Sequence, residues 1–165
     1  MKNFLFLLIF FSFWACRSEN KPKISHFIFP NTTYTKVVAY HFEDTETGEN
    51  IVNKAGELNP TVKKEQELNP AQVKNFLTLI NNPDTYGGEA MRCFQPRLGL
   101  VFYNAHNKAA AHISICFQCN NFSATPNIAR QEDMPNGSRA FSEHGRQQLV
   151  AFCKSLDFGQ CGSLE

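Results

Sequence analysis

Two β-rich runs separated by a short polar stretch constrain the fold of this chain more than any other feature. The runs Arg97 to Asn104 and Ala109 to Cys116 consist mainly of β-branched, aromatic and small apolar residues. The four residues from Ala105 to Lys108 are enough to connect two antiparallel strands. The sequence therefore predicts a β-hairpin at the centre of the fold.

The predicted hairpin brings three cysteines to one of its ends. A four-residue connection places Gln95 opposite Cys116. By the same register, Cys93 falls opposite the interval between Cys116 and Cys119. We therefore expect Cys93, Cys116 and Cys119 to lie close together.

Two amphipathic helices are predicted outside the hairpin. The first has Asn69 as its N-cap and Pro70 at the first helical position, ends by Asn82-Pro83, and has one apolar stripe: Val73, Phe76, Leu77 and Ile80. The second begins at the Ser142 cap and runs to about Leu156, with its own stripe: Leu149, Phe152, Cys153 and Leu156.

Further strands and loops complete the prediction. The runs Ile24 to Phe29 and Thr35 to Phe42 are predicted strands around a turn at Pro30-Asn31. The polar segment Glu43 to Gly56 is predicted as a loop containing a short strand at Asn50 to Asn53, and Asp84 to Ala90 as a second loop. The fold class predicted is α+β, with a small antiparallel sheet whose central hairpin packs against two helices.

Composition limits the classes of function. The chain has 165 residues, of which 42% are hydrophobic, and it carries 16 basic and 15 acidic side chains. This apolar content suits one globular domain, predicted at residues 24–165, and excludes a long disordered region. The near-neutral charge argues against nucleic acid as a partner, because neutralising phosphates requires a concentrated basic surface.

The first 15 residues are typical of an export signal. Lys2 is followed by an apolar run of 12 residues from Phe4 to Ala15. This run is short for a membrane span, since a helix needs roughly 20 residues to cross a hydrocarbon core. Its end, Ala15-Cys16, resembles the lipobox of bacterial lipoproteins.

The lipobox resemblance implies that Cys16 receives a diacylglycerol and becomes the new N-terminus. Acyl chains such as palmitate would hold the protein on a membrane, with residues 16–23 as a lipidated tether. We predict a cell-envelope location, favouring the outer membrane, with an unknown protein or envelope partner. Because Phe13 and Trp14 depart from the common lipobox, a secreted form cut before Glu19 remains the alternative.

Three interpretations compete for Cys93, Cys116 and Cys119. The first is a structural disulfide of Cys93 with Cys116 or Cys119. The second is a zinc site, with three thiolates and either His112 or His106 as fourth ligand; however, His112 lies about 13 Å from Cys116 along a strand, and His106 lies in the far turn. The third is redox catalysis by Cys116-Phe117-Gln118-Cys119, although no helix is predicted after this motif to activate it.

The remaining cysteines add one more candidate pair. Cys153 and Cys161 flank the end of the second helix and could form a second disulfide. Of six cysteines in the chain, five remain when Cys16 is set aside, so at least one has no intramolecular disulfide partner. The sequence has no G-x-S-x-G, no phosphate-binding glycine loop and no H-E-x-x-H. We therefore predict no catalytic residue and no cofactor, with zinc as the alternative.

The segment between the hairpin cysteines carries a second resemblance. The motifs Cys93-Phe94-Gln95-Pro96-Arg97 and Cys116-Phe117-Gln118-Cys119-Asn120-Asn121 are similar to a pattern in uncharacterised exported bacterial proteins. The resemblance covers about 30 residues and implies no activity. The functional hypothesis is therefore a membrane-anchored lipoprotein that binds a partner or acts structurally. The alternative is a thiol redox or metal-binding protein that uses these cysteines.

Overall fold

The computed structural model describes residues 28–43, 48–128, 140–159 and 161. The predicted export signal, Cys16 and the predicted tether lie outside these residues. The elements, in chain order, are β1 (Lys36–Phe42), β2 (Val62–Glu67), α1 (Pro70–Ile80), a 3-10 turn (Pro83–Thr85), β3 (Tyr86–Gly88), β4 (Leu98–Tyr103), β5 (Ala109–Cys116), β6 (Asn121–Thr125), β7 (Ala140–Phe141) and α2 (Glu143–Lys154).

The strands form two antiparallel sheets. The larger sheet has five strands in the order β2, β1, β4, β5, β6, and the smaller sheet pairs β3 with β7. Two helices accompany these sheets. The predicted α+β class is confirmed.

Both helices begin where their capping residues predict. The Asn69 side chain accepts a hydrogen bond from the Gln72 backbone N–H, and the Gln72 side chain accepts one from the Asn69 N–H, which completes a capping box. At the start of α2, the Ser142 hydroxyl accepts from the Gly145 N–H at 3.0 Å. These local hydrogen bonds replace helical partners that the first turn lacks.

The central hairpin forms, but its predicted register is wrong by two residues. Leu98 faces Ile115 and Gly99 faces Ser114, so Gln95 does not lie opposite Cys116 within the ladder. Since β4 ends at Tyr103 and β5 begins at Ala109, the connection is five residues long. The Asn104 N–H donates to the Lys108 carbonyl across it. An irregularity between Phe102 and Tyr103 adds to the shift.

Two other sequence predictions need correction, and one strand was not predicted. Within the predicted strand Ile24 to Phe29, the described residues Ile28 and Phe29 are not in a strand. The predicted loop from Asp84 to Ala90 contains β3. Strand β2 was missed because Val-Lys-Lys-Glu-Gln-Glu lacks apolar alternation; it forms because β1 offers a paired neighbour.

The two sides of the large sheet are covered by different parts of the chain. The side that we call the helix side faces α1 and α2 and holds the larger core, which includes Val37, Leu98, Leu100, Phe102, Ile113, Ile115, Phe76, Ile80, Leu149 and Phe152. The other side, which we call the loop side, holds a smaller core of Val38, Tyr40, Phe42, Ile51, Val52 and Val101. Residues 48–59, which contribute Ile51 and Val52, therefore cover part of the loop side.

Neither helix in the described part of the chain has the length and apolarity needed to cross a membrane.

Candidate functional site

Disulfide bonds, predicted from the cysteine pattern, are confirmed. Cys93 is bonded to Cys119 with an S–S distance of 2.04 Å, and Cys153 is bonded to Cys161. The structure thus has Cys119, not Cys116, as the partner of Cys93. The first bond joins the segment before β4 to the turn after β5, and the second joins the end of α2 to the segment that follows it.

Cys116 is the free cysteine of the described residues, and it is fully buried. Its sulfur accepts hydrogen bonds from the backbone N–H groups of Gln95 and Cys119, each at 3.3 Å. The thiol therefore helps to hold the segment before β4 against the turn after β5. A nucleophilic thiol needs access to its target, and this one has no exposed surface.

Side-chain amides fasten the same region. Asn120, which has a left-handed backbone (φ 50°), donates from its amide to the carbonyls of Glu89 and Phe141. The neighbouring Asn121 amide donates to the Cys93 carbonyl at 2.6 Å. These bonds tie the turn after β5 both to the segment before β4 and to β7. The disulfide and these hydrogen bonds thus hold three parts of the chain together at the cysteine region: the segment before β4, the turn after β5, and β7.

The arrangement removes the ligands that the zinc interpretation requires. Cys93 and Cys119 in a disulfide cannot act as thiolates, which leaves Cys116 alone. Within the described ranges, no three His, Cys, Asp or Glu side chains come together as metal ligands do. His112 lies on the same strand as Cys116 but pairs across the sheet with Val101 and Thr125. The cysteine region therefore provides a covalent staple in this state.

The loop side carries a more open site, built around Ile51. Gly99 has no side chain, and a Cβ there would lie 2.5 Å from the Ile51 Cβ, so the glycine makes room for Ile51 on the sheet. The Ile51 N–H donates to the buried Ser114 hydroxyl at 2.8 Å. This contact and hydrogen bond hold residues 48–59 against β4 and β5.

Two asparagines shape the rest of that loop. The Asn53 side-chain oxygen accepts from the N–H groups of Ala55 and Glu57, which closes a tight turn. The buried Asn59 accepts from the N–H and the hydroxyl of Thr61. These bonds join residues that are close in sequence, so they stabilise the loop locally, and the loop forms a wall beside the sheet.

Between this wall and the sheet lies a groove of about 900 Å³, which we call the His112 groove. It is lined by Glu49, Asn50, Val52, Asn53, Lys54, Ala55, His112 and Thr125. The volume falls within the range of typical small-molecule sites. Strands β5 and β6 thus provide the floor through His112 and Thr125.

His112 is the most unusual residue of the groove. It is 9% exposed, and among the described residues its Nδ1 atom has no hydrogen-bond partner. Burial lowers the pKa of His112 below its ordinary value, so the imidazole is neutral at physiological pH. The Asn50 side-chain oxygen, in the same groove, is likewise buried and unpartnered within the described part of the chain.

A second groove of about 680 Å³ lies on another part of the surface, beside α1. Its lining includes the exposed Ile28 together with Tyr34, Val73 and Leu77. Unlike Asn50, the Asn81 side chain at this groove is fully engaged: its oxygen accepts from the Phe29 N–H, and its amide donates to the carbonyls of Phe29 and Leu77. Its lining also includes the charged side chains of Lys36, Glu67 and Lys74.

Sequence reasoning weighed His112 only as a distant zinc ligand and did not single out Asn50. The available signal was the position of His112 in Ala-His-Ile-Ser-Ile, where a polar residue alternates with buried apolar neighbours on a central strand. No such pattern marks Asn50, because its position depends on Ile51 and Ser114 meeting across 63 residues of sequence.

Comparisons with protein-family models, with curated proteins and with solved structures find no match to this chain.

Proposed function

We propose that this protein is a membrane-anchored exported lipoprotein whose domain acts by binding rather than by catalysis. The observation that carries the proposal is the state of the cysteines. Of the five cysteines after Cys16, four are in disulfides and the fifth is fully buried. Disulfides persist in oxidising, exported compartments. A fold stapled in this way suits a module displayed outside the cytoplasm.

The anchor belongs to the same proposal. Cys16 of the lipobox-like Ala15-Cys16 would carry the lipid, and the described domain begins at Ile28. The intervening chain reaches at most roughly 40 Å. A domain held this close to a membrane meets partners within the cell envelope, with the outer membrane favoured. The central hairpin packed against both helices would serve as the rigid scaffold.

Acyl labelling tests the anchor. The native host is grown with an alkyne-bearing fatty acid, and the protein is purified and assayed for the label. Wild type should be labelled and should sediment with membranes. Cys16→Ser should lose both properties, whereas the matched control Ser18→Ala should keep them. Label that persists in Cys16→Ser, or an unlabelled wild type that begins at Glu19, would contradict the lipoprotein proposal.

A further inference from the structure

We propose that residues 89–95, which we call the Arg92 loop, form a substrate-like inhibitory loop for a serine protease that cleaves after arginine. The proposal rests on the proposed function, because it names the partner of the binding module. The loop lies between β3 and β4 and belongs to no helix or strand. Residues 89–93 are exposed in an unbroken run, and Arg92 lies at a bend within it. The loop therefore presents its central residues at the surface.

The backbone hydrogen bonds of the loop alternate along the chain. The Met91 N–H donates to a carbonyl of the turn after β5 at 2.9 Å. The carbonyls of Glu89, Met91 and Cys93 accept hydrogen bonds from side-chain amides of the same turn. Among the described residues, the backbone groups of Ala90 and Arg92 have no hydrogen-bond partner. Every second residue of the loop therefore has backbone groups available to pair with the main chain of another protein.

Asn121 supports the chain on both sides of Arg92. Its side-chain amide donates to the Cys93 carbonyl at 2.6 Å and to the Met91 carbonyl at 3.5 Å. Cys93 is also bonded through its sulfur to Cys119, two residues before Asn121. The residue before Arg92 and the residue after it are thus tied to the same turn, while Arg92 itself stays exposed.

This support suits an inhibitor better than a substrate. Because a disulfide and side-chain amides already hold the Arg92 loop, its binding costs less conformational entropy than the binding of a flexible segment. If the protease hydrolyses the Arg92–Cys93 bond with one water molecule, both new ends stay attached to the turn after β5. Release of the cut loop is therefore slow. Complexes of proteases with preformed inhibitors are among the tightest known.

Arg92 selects the class of protease. Trypsin-like enzymes have a carboxylate in the pocket that receives the residue before the cut, whereas chymotrypsin has an apolar slot there and elastase a small pocket. The guanidinium of an exposed arginine pairs with such a carboxylate through two hydrogen bonds. The neighbouring Met91 is 62% exposed and adds apolar surface for the contact. The loop therefore fits a trypsin-like partner.

Inhibition of proteases of known specificity tests the proposal. The full mature chain with its lipid is titrated, in a non-ionic detergent, against trypsin, chymotrypsin and elastase, and the hydrolysis of a small chromogenic substrate is followed. We expect trypsin to be inhibited with a Kd below about 1 μM, and the other two enzymes at least about a hundredfold more weakly. Mass spectrometry after incubation should find most of the protein uncut between Arg92 and Cys93.

Three variants make the result specific. Arg92→Phe should weaken trypsin inhibition at least about a hundredfold and should inhibit chymotrypsin instead, because an aromatic ring fits the apolar slot. The matched control Lys108→Ala removes an exposed cation from the hairpin connection and should inhibit trypsin as wild type does. Asn121→Ala removes the support on both sides of Arg92, so it should inhibit at least about tenfold more weakly and be cut faster after Arg92.

Several results would overturn the partner class. These are no inhibition of trypsin, equal inhibition of all three proteases, unchanged specificity in Arg92→Phe, or rapid cleavage after Arg92 that restores trypsin activity. Unchanged inhibition by Asn121→Ala would overturn the supporting role of that side chain. The acyl-labelling experiment is independent of this one. Trypsin inhibition by an unlabelled protein overturns the anchor alone, and a lipidated protein that leaves trypsin active overturns the partner class alone.

Discussion

His41 and His112 lie in the same sheet but on opposite sides of it, and each is almost fully covered by its neighbours. Their exposed fractions are 8% and 9%. Burial lowers the pKa of both; at His41 the nearby Arg97 and the lysines of β2 add to the effect, and Glu43 opposes it. Each imidazole is thus neutral in the folded protein over a pH range in which it would be charged in the unfolded chain.

We expect the free energy of unfolding to fall as the pH drops below about 6.5. In that window the unfolded chain binds protons that the folded protein does not, so stability rises with pH by up to about 1.4 kcal/mol per pH unit for each histidine. Well above about pH 6.5, both imidazoles are neutral in the folded and in the unfolded chain, so neither histidine makes the free energy of unfolding depend on pH. Urea unfolding between about pH 8 and pH 5 measures the effect.

His41→Gln and His112→Gln should each flatten this slope, because each removes one titrating group. His106→Gln is the matched control, since that side chain is exposed on the hairpin loop. Constant stability of the wild type across the window would contradict the expectation.

The Cys116 thiol gives a second expectation for a single residue. In the native protein without reductant, an alkylating reagent should modify no cysteine of the domain, because Cys116 has no exposed surface and the other four are in disulfides. In denaturant without reductant, it should modify Cys116 alone. Mass spectrometry counts the adducts, and Cys116→Ala should give none. Two or more free thiols in the unfolded wild type would disprove these pairings.

At the scale of elements, the start of α2 is fixed to the 3-10 turn by hydrogen bonds from Ser142 to two backbone carbonyls of that turn. The Ser142 N–H donates to the Thr85 carbonyl at 2.9 Å, and the Ser142 hydroxyl donates to the Asp84 carbonyl at 2.7 Å. Gly145 allows this approach, because a Cβ there would lie 2.3 Å from the Thr85 oxygen. The atoms that a Cβ would meet belong to the Thr85 backbone, which cannot move aside as the end of a flexible side chain can.

We therefore expect Gly145→Ala to destabilise the protein by about 3 kcal/mol, although alanine is the better helix former. The control is Gly159→Ala, where a Cβ would meet no atom of the described residues within 4 Å, and its effect should stay within about 0.5 kcal/mol. Urea unfolding of both variants gives the comparison. A Gly145→Ala variant as stable as wild type would mean that α2 does not lie this close to Thr85.

Elements were predictable where their cause is local. The Asn69 capping box and the Ser142 cap each depend on residues within one helical turn, and both helices form where those caps predict. Strand β2 carries no such signal, since Lys63, Lys64 and Glu65 are exposed at the edge of the sheet. Its strand conformation comes from hydrogen bonds with β1, which depend on the approach of two separate segments.

At the scale of the whole molecule, the two disulfides constrain very different lengths of chain. Cys93–Cys119 spans 26 residues and joins the beginning of the central hairpin to its end, whereas Cys153–Cys161 spans 8 residues at the end of α2. Cross-linking reduces the conformational freedom of the unfolded chain, and the effect grows with loop length. The longer loop therefore contributes more to stability.

Replacing both cysteines of a pair with alanine tests this ranking. The chain-entropy relation predicts a loss of about 3.5 kcal/mol for the pair Cys93 and Cys119, and about 2.5 kcal/mol for the pair Cys153 and Cys161. Urea unfolding of the two double variants against wild type measures both losses. The opposite ranking would indicate that native packing around the bonds, rather than loop closure, sets their contributions.

The sequence by itself determined the features whose physical cause lies within a few residues: the two capped helices, the two runs of the central hairpin, and the presence of Cys93, Cys116 and Cys119 at one end of that hairpin. It also limited the zinc interpretation, because His112 and Cys116 are separated along an extended strand. These inferences needed only backbone geometry and side-chain spacing.

Only the tertiary structure decided the register of the hairpin, the choice of Cys119 as the partner of Cys93, and the existence of the His112 groove. The register depends on an irregularity beside Tyr103. The choice of disulfide partner depends on the turn after β5, in which Cys119 bonds to Cys93 and Cys116 stays a buried free thiol. The groove depends on Ile51 occupying the space above Gly99. Each is a contact between segments distant in sequence, and its free energy is gained only once the rest of the fold has brought them together.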